Sequence, residues 1–378
     1  MTSSLDRRQA RRVFTSGIIC SVLVLAACQS RTPYGPPPGQ VQVPEAGAKQ
    51  RVALIVPLTG EDGGIGTSIS NAARLALLDT ANHSIELTTY DSTQSGAAAA
   101  AARAIGEGNG LILGPLLAED VRAMAPVAQR AHVPVIAFSN DEGVAGNGVY
   151  ILGFTPRQSI GRVVAFAGSR GSKRYGALIP TGVYGERAAE AFRASVQQYG
   201  GAIGAIETYN RTAANVRTAA NALNAKGKFD AVLIGDSSRI AAQAGAAVKP
   251  GARLLGTELW ANDHGIGATP RMRGAWYAAA PDARFNQLVT RYRARYGKVP
   301  YRLGSLGYDA ALLTVRASRS WPAGRPFPQR VLTEKDGFAG VDGIFRFSRD
   351  GVAERSLEVR EVTAAGTTIV SPAATVFP

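Results

Sequence analysis

The sequence predicts an α/β protein built as two doubly wound parallel-sheet lobes. Short apolar runs alternate with helical patterns from Arg51 to Gly256, and such alternation calls for parallel pairing through crossover helices. The alternation falls into two series, with a break between Ala137 and Arg157. The folded part, 51–378, is also large for a single hydrophobic core.

In the first series, 52–56 (Val-Ala-Leu-Ile-Val) is a buried strand ending at Pro57. Thr67 or Ser68 is placed to cap a helix running through Asn71, Leu75 and Leu78. A strand follows at 85–90, then a helix that starts at Ser95 and continues through the alanine run 97–102. Strand 110–113 leads into Gly114-Pro115, and helix 119–131 into strand 133–137. The second series reads helix 157–167, strand 175–179, helix 185–199, strand 203–209 and helix 213–225. It closes with strand 229–235, helix 238–247 and strand 253–256. Beyond Tyr277 the pattern changes. Helix 283–296 carries Phe285, Leu288, Val289 and Tyr292 on one face, and helix 305–318 carries Tyr308, Ala311, Leu312 and Val315. Strands 344–347 and 357–362 read as a hairpin with 348–351 (Ser-Arg-Asp-Gly) as its turn.

The N-terminus has the order of parts of an exported protein. Arg7, Arg8, Arg11 and Arg12 precede a short apolar stretch, 13–27, and small residues then meet Cys28. The stretch is shorter than the roughly 20 residues a membrane-spanning helix needs. Leu25-Ala26-Ala27-Cys28 resembles the lipobox of bacterial lipoproteins, which implies a signal peptide over 1–27 and acyl chains on Cys28. Two acyl chains hold a protein stably at a membrane. Residues 28–50 are rich in Pro, Gly and Gln and read as an extended tether.

Several chemistries are unsupported. With Cys20 in the leader and Cys28 under lipid, the folded part has no thiol for a disulfide or thiolate metal site. His83, His132 and His264 are scattered and form no His-x-x-x-His pair, so no metal site is expected. Gly304-Ser305-Leu306-Gly307 has the wrong spacing for a nucleophile elbow, and no Ser-x-x-Lys or phosphate-binding Gly-x-x-x-x-Gly-Lys loop occurs. The expectation is a non-enzyme without a cofactor. The formal net charge is +14, yet the basic residues are dispersed and the export signal removes nucleic acid as a partner. A solvated basic surface and attraction to anionic envelope material both fit this charge.

The ordered set of short motifs resembles the type I periplasmic binding proteins of the leucine/isoleucine/valine-binding group. The matching pieces are Val56-Pro57-Leu58-Thr59-Gly60 with the glycines that follow, Leu113-Gly114-Pro115-Leu116, Val133-Pro134-Val135-Ile136 and Tyr184-Gly185-Glu186. Gly256-Thr257-Glu258, Tyr308-Asp309-Ala310 and the stretch 338–347 complete the set. The resemblance implies two lobes joined by a three-strand hinge around a ligand cleft. It puts lobe one at about 51–153 plus 282–337, and lobe two at about 154–281 plus 338–378.

By the same resemblance, the cleft candidates are Leu117, Ala118, Ser139, Asp141, Tyr184, Asp236 and Glu258. In amino-acid-binding relatives a serine and a threonine hold the ligand carboxylate. Here those positions fall on Ala118 and near Asp141, which lack the hydroxyls and, at Asp141, repel an anion. Glu258 takes the ammonium position, although capping the residues after it explains it equally. Glu258 and Asp236 suit a cationic or polyhydroxy small polar ligand.

Two functions follow. The chain resembles the penicillin-binding-protein activator lipoproteins, which implies a regulator of peptidoglycan synthesis with a penicillin-binding protein as partner. The alternative is a solute-binding receptor for an ABC permease, taking amino acids or a related polar ligand. Gln29 after the lipid cysteine, in place of aspartate, points to the outer membrane, on the periplasmic side of the envelope. A tether of some 20 residues would reach about 70 Å at most.

Overall fold

The computed structural model describes residues 48–377, apart from 262 and 264. The signal segment, Cys28 and most of the tether lie outside the described residues.

The chain opens with β1 (Gln50–Val56), whose apolar run alternates between two cores. Val52, Leu54 and Val56 enter one hydrophobic cluster, while Ala53 and Ile55 enter the cluster on the opposite face. A strand covered on both sides has this near-continuous apolar sequence with a two-residue period. Around it, β2 (Ile85–Asp91), β3 (Leu111–Leu113), β4 (Val135–Ala137) and β5 (Val149–Ile151) complete a five-stranded parallel sheet in the order β2-β1-β3-β4-β5. Its crossover helices are α1 (Gly63–Asp79), α2 (Ala97–Gly106) and α3 (Ala118–Arg130).

Helix α1 starts earlier than Thr67 or Ser68. Its N-cap is Asp62, and Gly63, Gly64 and Gly66 lie in its first turns. A Cβ on Gly66 would lie 1.7 Å from the Pro57 carbonyl oxygen, so this glycine lets the helix pack against the strand end.

After β5 the chain enters the second lobe through α4 (Pro156–Ser169). There β6 (Arg174–Pro180), β7 (Ala202–Tyr209), β8 (Ala231–Ile234), β9 (Arg253–Gly256) and β10 (Trp276–Ala279) pair in parallel in the order β10-β9-β8-β6-β7. The helices α5 (Val183–Gln198), α6 (Ala213–Ala225) and α7 (Ser238–Ala247) cover it together with α4. Strand β8 repeats the logic of β1, with Ala231 and Leu233 in one cluster and Val232 and Ile234 in the other.

The chain then returns to the first lobe. Helices α8 (Ala283–Tyr296) and α9 (Gly304–Ser318) bring Leu288, Tyr292, Leu306 and Tyr308 into the core that holds Val52 and Leu54. The C-terminal part departs from the expected hairpin. Strand β12 (Gly343–Phe347) lies between β11 (Phe338–Gly340) and β13 (Ala353–Arg355) in a separate antiparallel sheet. The residues expected to pair with it form β14 (Glu358–Thr363) instead, which runs antiparallel to β10 and to β15 (Gly366–Ser371). The four-residue turn 348–351 therefore joins β12 to β13.

This also divides the segment 338–378, assigned above to lobe two as one piece. Phe338, Phe345 and Phe347 pack into the first-lobe core, whereas Val359 packs with the second-lobe sheet. The aromatic side chains of β11 and β12 need the larger apolar face, and only the strands after Arg355 carry on to β10. The chain crosses between lobes after β5, after β10 and after β13.

Candidate functional site

The C-terminal ends of the strands from both parallel sheets face one cleft, where open α/β sheets place their ligand sites. Between the lobes lies a cavity of about 340 Å³. Ile65, Leu116, Leu117 and Phe138 line it from the first lobe and Leu259, Ala279 and Ala280 from the second, with Phe154 at the first crossover. Its polar groups are Asp62, Asn140, Glu258 and Arg302. Beside it, a smaller cavity of about 230 Å³ is bounded by Leu117, Ala118, Arg122, Asp141, Tyr184 and Arg187.

Asp141 does not sit in the cleft as a free, repelling carboxylate, which corrects the sequence expectation. It is buried, and its Oδ1 accepts the Gly143 N–H at 2.9 Å and the Arg187 Nε–H at 3.0 Å. Its Oδ2 accepts from Arg122. Burial by itself would raise its pKa, but the Gly143 N–H and the two guanidinium groups hold it below the usual carboxylate range. Arg122 stands on α3 and Arg187 on α5, so one carboxylate ties the two lobes. Ser139 is buried behind this arrangement, and its hydroxyl oxygen accepts the Asp141 N–H at 3.1 Å.

Glu258 follows β9 and reaches the larger cavity. Its carboxylate receives hydroxyl hydrogen bonds, from Ser159 and, at 3.3 Å, from Tyr184. Among the described residues it forms no ion pair. Burial therefore dominates and pushes its pKa up to about 7. Glu258 is not the cap of its short 3₁₀ turn, since Thr257 Oγ1 accepts the Leu259 N–H. The Tyr184 hydroxyl lies 3.1 Å from the Thr257 hydroxyl, and burial first, then Glu258, raise the Tyr184 pKa well above its ordinary value.

Asp236 is a second correction. It borders neither cavity. Its carboxylate accepts from Tyr209 at 3.1 Å, from Arg211 Nε at 2.9 Å and from the Ser237 N–H at 2.7 Å, and its backbone carbonyl takes the Trp260 indole N–H at 3.0 Å. The first three bonds use its acceptor capacity, and the last makes Trp260 a core anchor. Trp260 is fully buried.

Sequence reasoning missed Arg302. It precedes α9, lies in the larger cavity, and stacks 4.1 Å from the Phe285 ring centroid. Its Nη1 donates to Ser305 Oγ at 2.9 Å and approaches Asp342 Oδ1 to 2.5 Å, a charge contact outside hydrogen-bonding alignment. Asp342 belongs to a buried group with Asp309 and Arg355 at the third crossover. No local pattern marks a single arginine ahead of a helix, because its partners arrive from distant segments.

Two open α/β lobes joined by three crossings, with a cleft between their strand ends, define the two-lobed fold of the periplasmic binding proteins. Residues 49–367 match the family described as periplasmic binding protein, and the chain belongs to that family. The fold is that of a putative branched-chain amino acid ABC transporter protein from Rhodospirillum rubrum, at 21% identity and TM-score 0.73 over 85% of this chain and 100% of that one. A solute-binding protein from R. palustris in complex with benzoate is similar at 18% identity and TM-score 0.62, over 87% of this chain and 98% of that one. The LpoA C-domain of Haemophilus influenzae, a regulator of PBP1A, is similar at 18% identity and TM-score 0.67, over 85% and 99%. An uncharacterized protein of Rickettsia prowazekii is 23% identical over 190 residues, and the match spans 50% of this chain and 50% of that protein.

Proposed function

We propose that this protein is a non-catalytic, lipid-anchored regulator of peptidoglycan synthesis that works through its surface on a penicillin-binding protein. The observation that carries the reading is Asp141. The chain supplies its own carboxylate at the place where amino-acid-binding relatives are expected to hold that of the ligand. Arg122 and Arg187 already neutralise it from both lobes. A plain amino acid entering there would have to displace contacts of a buried carboxylate with two partly exposed guanidinium groups, a loss of about 1.5 kcal/mol or more. The likeness to the LpoA C-domain supports the same reading, as does the absence from the sequence of a positioned nucleophile–base pair. Deletion of the gene is the test: altered wall synthesis and β-lactam sensitivity are expected. Normal shape and sensitivity, with loss of growth on one solute, would reject it.

A second reading rests on the larger cavity. Its leucine, isoleucine and phenylalanine walls, with Glu258 and Arg302 as polar handles, suit a small, mainly apolar solute delivered to an ABC permease. Isothermal titration with leucine, isoleucine and valine separates the two. The regulator reading expects no dissociation constant at or below micromolar, and such a constant would favour the receptor.

A further inference from the structure

The second lobe has another cavity, at the end of its sheet away from the cleft. It is an open depression of about 440 Å³ where β6, β8, β9 and β10 begin. Arg170, Arg253, Arg271 and Arg273 line it, and Asp230 is the acidic residue among its described lining. Asp230 is already committed, accepting the N–H groups of Lys173 and Arg174 at 2.8 Å each.

The four guanidinium groups are held mostly by neutral partners. Arg253 donates to the Gly274 carbonyl and stacks 4.3 Å from the Trp276 ring centroid. Its nearest carboxylate contact is Glu361 at 3.8 Å, and Glu361 also accepts the Trp276 indole N–H at 2.8 Å. Arg271 donates to the Ala252 carbonyl at 3.0 Å, and its Nε is buried without a hydrogen-bond partner. Arg273 Nε donates to the Gly267 carbonyl at 3.0 Å, while Arg170 lies 5.0 Å over the Phe166 ring. Among the described residues, Arg170, Arg271 and Arg273 enter no ion pair. Carbonyl and ring contacts orient these groups without neutralising them. Burial, and then the adjacent Arg253, disfavour the charge on Arg271.

We propose that this cavity binds a phosphate-bearing polyanion, free in solution or displayed on a lipid headgroup. Guanidinium forks match phosphate oxygens in pairs, and a cluster of like charges with few neutralising partners gains from a ligand of opposite charge. The cavity has more room than one phosphate group requires, and its arginines come from three segments, the end of α4 (Arg170), the start of β9 (Arg253) and the turn before β10 (Arg271 and Arg273), which suits a diphosphate better than a single phosphate. The site lies across the sheet from the cleft, so occupancy does not require the lobes to open.

Pyrophosphate titrated calorimetrically into the full chain carrying Cys28→Ser is the test; that substitution prevents an acyl anchor from confusing the lipid arm. Saturable binding is expected, weaker at high salt. The double variant Arg170→Glu with Arg273→Glu should weaken it at least tenfold. Both side chains are exposed, so the fold should survive, and circular dichroism checks this; Arg170→Gln with Arg273→Gln replaces the pair if it does not. No saturation up to millimolar pyrophosphate, or equal affinity in the folded variant, overturns the site. Flotation with phosphatidylglycerol vesicles, absent with phosphatidylcholine and lost in the variant, assigns the phosphate to a headgroup. Pyrophosphate binding without flotation assigns it to a soluble anion.

Discussion

Asp141 after β4 and Arg187 on α5 meet at 3.0 Å and join the first lobe to the second. With Arg122 on the other carboxylate oxygen, the protein carries its own closing contact. Asp141→Ala removes two guanidinium contacts and the Gly143 N–H bond. Charge-assisted hydrogen bonds are worth about 1.5–3 kcal/mol, and the partial exposure of both arginines places the loss near the lower end. The radius of gyration from small-angle scattering should also grow as the lobes part. An unchanged radius together with an unchanged melting temperature would show that Asp141 does not hold the cleft.

Glu258 predicts a pH dependence. Its folded pKa of about 7 exceeds the ordinary value of 4.5, so the folded chain binds this proton more tightly than the unfolded chain. Stability should therefore fall as pH rises from about 4.5 to about 7, by up to about 3 kcal/mol from this group. Asp309, raised to about 7 by burial and then by Asp342, adds in the same direction. Urea unfolding across this range should show a flatter profile for Glu258→Gln than for the wild type. Identical slopes would mean that Glu258 ionises freely in the folded protein.

Gly66 and Gly185 occupy matching places in the two lobes. Each would bring a Cβ to 1.7 Å from a proline carbonyl oxygen at the end of the preceding strand, Pro57 in one case and Pro180 in the other. Because the obstacle is backbone, the helix must shift. Gly66→Ala and Gly185→Ala should each cost about 3 kcal/mol, the upper end for overpacked cores. Thermal unfolding measures it, and a wild-type midpoint in either variant would refute the close approach.

Cys28 should carry acyl chains and form the mature N-terminus. Mass spectrometry of the membrane-extracted protein checks this, and Cys28→Ala should shift the protein to the soluble fraction. An unmodified thiol or a different mature N-terminus would dispose of the anchor.

What the sequence by itself determined is whatever repeats over a few residues. The run Val52 to Val56 reads as a two-face-buried strand because each side chain needs only its own strand's alternation to find a core. The two series of strands and helices were legible for the same reason, and the short motifs of the periplasmic binding proteins because each spans only a few residues. Tertiary structure alone decided the pairing of β12 with β13, since Ala353-Glu354-Arg355 carries no apolar run that would mark it as a strand. It also decided the role of Asp141, whose charge is balanced by Arg122 and Arg187, 19 and 46 residues away. Arg302 and the four arginines behind the second sheet were invisible for the same cause. A charged side chain takes its character from the groups packed around it, and long-range packing brings those groups together without leaving a periodic trace in the chain.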